Sequence, residues 1–391
     1  MRFPHGLLRE YPVTTTHAKA KPMAETKKTT RERFIDYGKA IIIFEVAINH
    51  VGAPFWNDPS AYMLFFFFVA GYVHNGNRPI KEAIKRRFKA ILVPFWIAVV
   101  VIGLLEIPRA YYLGYGDWRI FLVALTFGIY GSGRAPYLGP ISDYINSVKG
   151  FHPDGIEGIT DAILPMLSHL WFLPAMFLAS VMFYVYAKKL RRGVKTDVIA
   201  IVILCILAWT ETLIEPQFPY GFGRACWGCT AMIAGLMAKE RPIFSNLKKG
   251  ALLFIASVIL AGTGYFLGDS GVAPVISLYG PYGLASVFIS VIAGIAGCDV
   301  FCFLLKLLER VFKRDEWLCV IGRNTMPLYL WHMPVINVLS IGALALLGTA
   351  PSPDFVMVTL LPDELNPLKY VIAAASILLV LLVEKKLGRA R

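Results

Sequence analysis

The stretch "KAIIIFEVAINH", Lys39–His50, decides how this chain is read. Its aliphatic residues belong to a bilayer helix, yet it carries a lysine, a glutamate, an asparagine and a histidine. Ionisable groups inside a span are costly and mark functional sites by default. Lys39 and His50 are eleven residues apart, about 1100° at 100° per residue. They therefore share one helix face, ~16 Å apart along the axis. Asp36 falls near the same face, while Glu45 is turned off it by roughly 120° and Asn49 by about 80°. A snorkelling lysine and an interfacial histidine would explain each residue singly. Their common face favours a functional pair.

Apolar runs like this one recur along almost the whole chain. Of its 391 residues, 57% are hydrophobic, and the mean hydropathy is +0.59. A run of about 20 helical residues crosses ~30 Å of hydrocarbon. A soluble domain of this length would be more polar. The expected fold is an all-α polytopic membrane protein with about ten transmembrane helices. They are placed near 36–53, 60–76, 88–108, 167–187, 197–214, 221–238, 250–268, 275–304, 318–347 and 367–384. Residues 34–384 form the membrane domain, between a disordered basic cytosolic tail (1–33) and a short basic one (385–391). The segment "DWRIFLVALTFGIYG", 117–131, is apolar but too short to cross. A re-entrant or interfacial element is expected there. No internal repeat is visible.

The net charge of +13 does not imply nucleic acid, because of where the charges lie. Of 39 Lys and Arg, 31 fall within 1–36, 74–89, 187–196, 238–249, 305–317 and 384–391. Basic loops alternating with apolar spans follow the positive-inside pattern, so both termini are expected in the cytoplasm. The first 33 residues are polar and basic and do not read as a secretory signal. The expected location is the cell (inner) membrane. Six cysteines, including the lone "CWGC" at Cys226 and Cys229, read as small residues packing helices.

Other polar segments supply candidates. "KEAIKRRFKAILVPFW", 81–96, sets Arg86, Arg87 and Lys89 before a span, as a topology signal or a phosphate site. "SHLWFLPAMF", 168–177, puts His169 and Trp171 at a span entrance, where the aromatic is an anchor or a sugar platform. "IGRNTMPLYLWHMPVINV", 321–338, sets Arg323, Asn324, Thr325, Tyr329 and His332 on one helix, with Pro327 and Pro334 to kink it. Two intramembrane histidines suggest a shared polar pocket. The external segment 132–166 carries Asp143, His152, Asp154, Glu157 and Asp161 and is a lid or a connector.

Taken in order, these pieces resemble the acyltransferase-3 family of integral membrane acyltransferases, over roughly 34–384. The resemblance is carried by Lys39 and His50 within "IDYGKAIIIFEVAINH", and by "FFFFVAGY" at 65–72 with Ala70 where the family has serine. It continues in "RRFK", 86–89, an Arg-x-x-Arg-like loop with Lys89 as its second cation or the register shifted to Arg87. "HLWFL" and "IGRNTMPLYLWHMPV" complete it, with Thr325 for the common serine. It implies transfer of an acyl group, usually acetyl from acetyl-CoA, to a hydroxyl of a carbohydrate or exported polysaccharide.

On that reading His50 is the general base on the acceptor hydroxyl, or takes part in acyl handover. Lys39, Arg86, Arg87 and Lys89 receive acyl-CoA. Asn324, Tyr329 and His332 are candidates to stabilise an oxyanion, and Glu45 and Trp171 to meet substrate. Acyl-CoA is a cosubstrate; no permanent cofactor and no metal are expected. The partners are a glycan acceptor, acyl-CoA and the bilayer. The alternative is a secondary transporter of a sugar or organic anion, with Lys39, Glu45 and His50 as a proton relay. It lacks the expected repeat symmetry.

Overall fold

A computed structural model describes residues 32–51, 59–112, 114, 116–131, 164–214, 218–240, 255, 283–311, 316–349, 361–362 and 365–388. The basic tail up to residue 31, most of the segment 132–166 and all but residue 255 of the expected span 250–268 lie outside the described residues.

All regular structure among the described residues is helical. The elements are α1 (Arg33–His50), α2 (Pro59–Tyr72), α3 (Ile80–Arg87), α4 (Val93–Tyr112), α5 (Arg119–Tyr130), α6 (Pro165–Ser168), α7 (Phe172–Val185), α8 (Val194–Thr212), α9 (Phe222–Glu240), α10 (Leu284–Val311), α11 (Glu316–Arg323), α12 (Thr325–Leu347) and α13 (Asn366–Lys386). A π turn, Phe88–Leu92, joins α3 to α4, and a 3₁₀ turn, His169–Trp171, joins α6 to α7. Five helical rods are long and apolar enough to cross a bilayer: Ile80–Tyr112, Pro165–Leu190, Leu284–Val311, Thr325–Leu347 and Pro367–Lys386. Many aliphatic side chains on these rods face outward, as lipid contact requires.

Two expectations change. The basic segment at 81–89 is not a loop: α3 is helical through Arg87 and runs without a break into α4. Lys and Arg are good helix formers, and the segment holds no breaker after Pro79. Conversely, 318–347 is not one helix. It breaks at Asn324, which leaves helical geometry (φ −103°, ψ 22°) while its side-chain amide donates to the Val320 carbonyl at 2.7 Å. An asparagine that hydrogen-bonds its own backbone competes with the helix ladder. Segment 117–131 forms the twelve-residue α5, ~18 Å long and too short to span. It packs against α4 and ends at Gly131 (φ 64°).

Helices meet where glycine lets backbones touch. A methyl at Gly71 would lie 1.9 Å from the Met232 carbonyl oxygen, and one at Gly235 2.0 Å from that of Phe68. This close crossing of α2 and α9 gives the glycine of "FFFFVAGY" its reason, since small residues let membrane helices approach. Gly322 does the same between α11 and α1, against the carbonyl of Asp36.

The basic segments gather at one end. Lys306 lies 4.9 Å from the ring centroid of Phe34 and 5.8 Å from that of Tyr72. Arg323 reaches Asp36 at 3.5 Å. Arg191 forks onto Glu240 (2.6 Å, twice) and Asp197 (2.9 and 3.2 Å), tying together the ends of α7, α8 and α9. Those bonds, Glu240 first and then Asp197, hold its guanidinium pKa above the ordinary value.

Candidate active site

Three histidines from separate segments meet towards the opposite end. His50 is the last residue of α1, His169 opens the 3₁₀ turn, and His332 sits two turns into α12. Their ring centroids are 5.7 Å (His50–His169), 5.4 Å (His50–His332) and 4.9 Å (His169–His332) apart. His169 and His332 are buried and His50 is half-buried.

Hydrogen bonds fix two of the rings. His169 Nε2 lies 2.8 Å from the Tyr329 carbonyl oxygen. His332 Nδ1 lies 2.9 Å from the Leu328 carbonyl and 3.1 Å from that of Tyr329. A carbonyl only accepts, so each of these nitrogens carries the hydrogen. In the neutral rings this leaves His169 Nδ1 and His332 Nε2 as lone-pair acceptors, and among the described residues neither has a hydrogen-bond partner. The site thus presents two fixed imidazole acceptors beside a third, half-buried imidazole. Such a group can take up a proton and stabilise the resulting imidazolium. Tyr329 locks the pair: its hydroxyl donates to the His169 carbonyl while its own carbonyl accepts from the His169 ring.

Against α6, α4 holds a buried ion pair that is not among the sequence candidates. Glu106 and Arg109 are 0% and 3% exposed, with Arg109 Nη1 3.5 Å from Glu106 Oε2. Glu106 Oε1 accepts the Met166 backbone N–H at 2.9 Å. The signal was present: an acid and a base inside "LLEIPRA" are ionisable groups in a span.

At the basic end a second cluster forms around His74. Its ring lies 5.1 Å from Phe183 and 5.6 Å from Tyr184. Arg87 Nε donates to the Tyr184 hydroxyl at 2.9 Å, and Lys239 Nζ to the His74 carbonyl at 2.6 Å. Lys188 also acts on His74 electrostatically. Among the described residues, no ion pair joins Arg87, Lys188 or Lys239 to a carboxylate. Cations thus lie around a small ring cluster, with His74 edge-on to Phe183 and tilted against Tyr184.

Of the sequence candidates, the structure brings together His50, Tyr329 and His332, and adds His169. It ties Arg87 inward and leaves Arg86 exposed on α3 and Lys89 exposed on the π turn. Lys39 and Glu45 are half-buried along α1. Asn324 stands apart at the α11–α12 break, ~12 Å along the axis from His332. Trp171 is half-buried, with one ring face covered by Arg224, whose guanidinium carbon is 4.6 Å from the centroid. All six cysteines are buried, and none is joined in a disulfide. Among the described residues, no three or more His, Cys, Asp or Glu side chains are arranged to hold a metal ion.

A multi-pass helical membrane protein with an imidazole cluster at one end and unmatched cations at the other has the parts of a membrane group-transfer enzyme. The acyltransferase-3 family model, an acyltransferase domain, matches residues 32–383, nearly the whole chain. The chain belongs to that family, and it is an acyltransferase and a multi-pass integral membrane protein. No curated protein and no solved structure gives a significant match.

Proposed function

We propose that this enzyme moves an acetyl group from acetyl-CoA to a hydroxyl of a carbohydrate, with the donor entering from the cytosol. The observation that carries this reading is the His50–His169–His332 cluster, ~16 Å along α1 from Lys39 and the basic end. The positive-inside rule makes the basic end cytosolic, so both termini and the anionic donor are on that side. Ten crossings are consistent with this arrangement.

In this reading Arg87, Lys188 and Lys239 receive the phosphates of CoA, with His74 and Tyr184 beside its adenine. Lys39, Arg86 and Lys89 add positive field on the same side. The thioester reaches His50, which takes the proton from the acceptor hydroxyl. The oxygen attacks the thioester carbonyl carbon, the C–S bond breaks, and the departing sulfur takes up the proton. The products are the ester and free CoA thiol. His169 and His332 present their acceptor nitrogens beside His50 and stabilise the imidazolium it becomes, and Trp171 meets the sugar. Glu45 lines the approach along α1. The outward-facing end suits a glycan handled at the outer face of the cell membrane.

The test uses purified protein in liposomes with radiolabelled acetyl-CoA and a panel of glycans. The expected result is label appearing in alkali-labile ester on a glycan, matched one for one by free CoA thiol. Thiol release with no labelled product on any acceptor, or no turnover with any acyl-CoA, would overturn this choice of donor and acceptor.

A further inference from the structure

The Pro165–Leu190 rod, which carries His169, has no side-chain cap of its own: Leu164 stands at its N-cap and makes no such bond. Yet its first-turn donors are all accounted for. Pro165 has no N–H, and the amides of Leu167 and Ser168 donate to the Leu164 carbonyl at 2.9 and 3.1 Å. That leaves Met166, whose N–H points at Glu106 Oε1 of α4, 2.9 Å away. In a membrane bundle a buried amide needs such a partner. The acceptor is a wholly buried carboxylate beside Arg109. His169 follows three residues after Met166, and Tyr329 grips its ring and its carbonyl from the other side.

We propose that Glu106 is a positioning residue for acyl transfer, fixing the start of the rod so that His169 faces His50. Carboxylates at helix starts are favourable because the exposed amides and the helix dipole attract negative charge. Here the carboxylate comes from a neighbouring helix, so α4 sets the rod's rotation and height. The Tyr329 contacts then hold the ring from α12. A loss of the Glu106 contact would free one side of this clamp while leaving the other intact. The inference rests on the reading of His169 as part of the transfer site.

The experiment measures kcat and both KM values on full-length protein for Glu106→Ala, Glu106→Gln, His169→Ala and the double variant Glu106→Ala/His169→Ala, each corrected for folded fraction. Glu106→Ala is expected to lower kcat at least tenfold with both KM values within about twofold. Glu106→Gln, which keeps the acceptor oxygen, is expected to stay within threefold of wild type. The double variant is expected to be no slower than His169→Ala. Wild-type kcat in Glu106→Ala, no rescue by Gln, or additive losses in the double variant would overturn the proposal. If Glu106→Ala and Glu106→Met both fail to fold while Glu106→Gln folds, the contact holds the bundle and not one histidine, which also overturns it. His169→Ala with wild-type kcat would remove the reading of the site itself, a separate failure.

Discussion

Replacing Gly71 by alanine tests the packing that holds the basic end together. The new methyl would stand 1.9 Å from the Met232 carbonyl oxygen, where real Cβ contacts stay beyond 3.0 Å. The obstacle is backbone, so no side chain can swing aside, and α2 and α9 must part by about 1 Å. A gap of that size forfeits a quarter to a half of each atom pair's 0.1–0.2 kcal/mol. Over on the order of 50 pairs across such a crossing, that is about 3 kcal/mol. This lies at the upper end of the usual cost of overpacking. Gly297 and Gly342 are helical glycines with open space around the added methyl. Alanine there is expected to be neutral or to gain up to ~1 kcal/mol. Thermal unfolding of the purified variants in lipid nanodiscs separates the cases. Gly71→Ala should melt several degrees below wild type, Gly297→Ala and Gly342→Ala at or above it. Gly235→Ala should match Gly71→Ala, and the double variant should cost less than the two together, because the helices part only once. If Gly71→Ala melts with Gly297→Ala, the close crossing of α2 and α9 is wrong.

Two further outcomes follow from the basic end. Arg191→Lys loses the fork onto Glu240 and Asp197 and is expected to cost about 1–3 kcal/mol in a thermal melt. Its donor affinity should stay unchanged at the same time, because Arg191 is saturated by its own carboxylates. Arg87→Ala and Lys239→Ala are expected to raise the KM for acetyl-CoA severalfold with kcat little changed, and to flatten its salt dependence. Donor KM values that ignore both substitutions would make this cluster a topology signal alone.

How much of this was legible in the sequence depends on the range of the interaction. The pairing of Lys39 and His50 on one face is set by 3.6 residues per turn and could be read directly. Alternation of apolar runs with basic segments marked most helices, because hydropathy is a local property. The break at Asn324 was hidden for the same reason: hydropathy does not register one residue that hydrogen-bonds its own backbone. The basic segment at 81–89 reads as a loop because positive charge marks the connections between spans, although its residues are good helix formers. The histidine cluster was half visible. His50 and His332 stood out as ionisable groups in spans, but nothing local told that His169 would complete it. Glu106 and Arg109 were legible by the same rule and were masked by the apolar run around them. The grip of Tyr329 on His169, across 160 residues, has no sequence signal at all.

The central claim is that His50 removes the acceptor proton within the imidazole cluster. The most direct measurement is the rate of label transfer from acetyl-CoA to the glycan by His50→Ala, in lipid, against wild type of equal melting temperature. General-base catalysis contributes on the order of 10²–10⁴-fold, so transfer should fall at least a hundredfold while acetyl-CoA still binds. Transfer within a few fold of wild type would contradict the account.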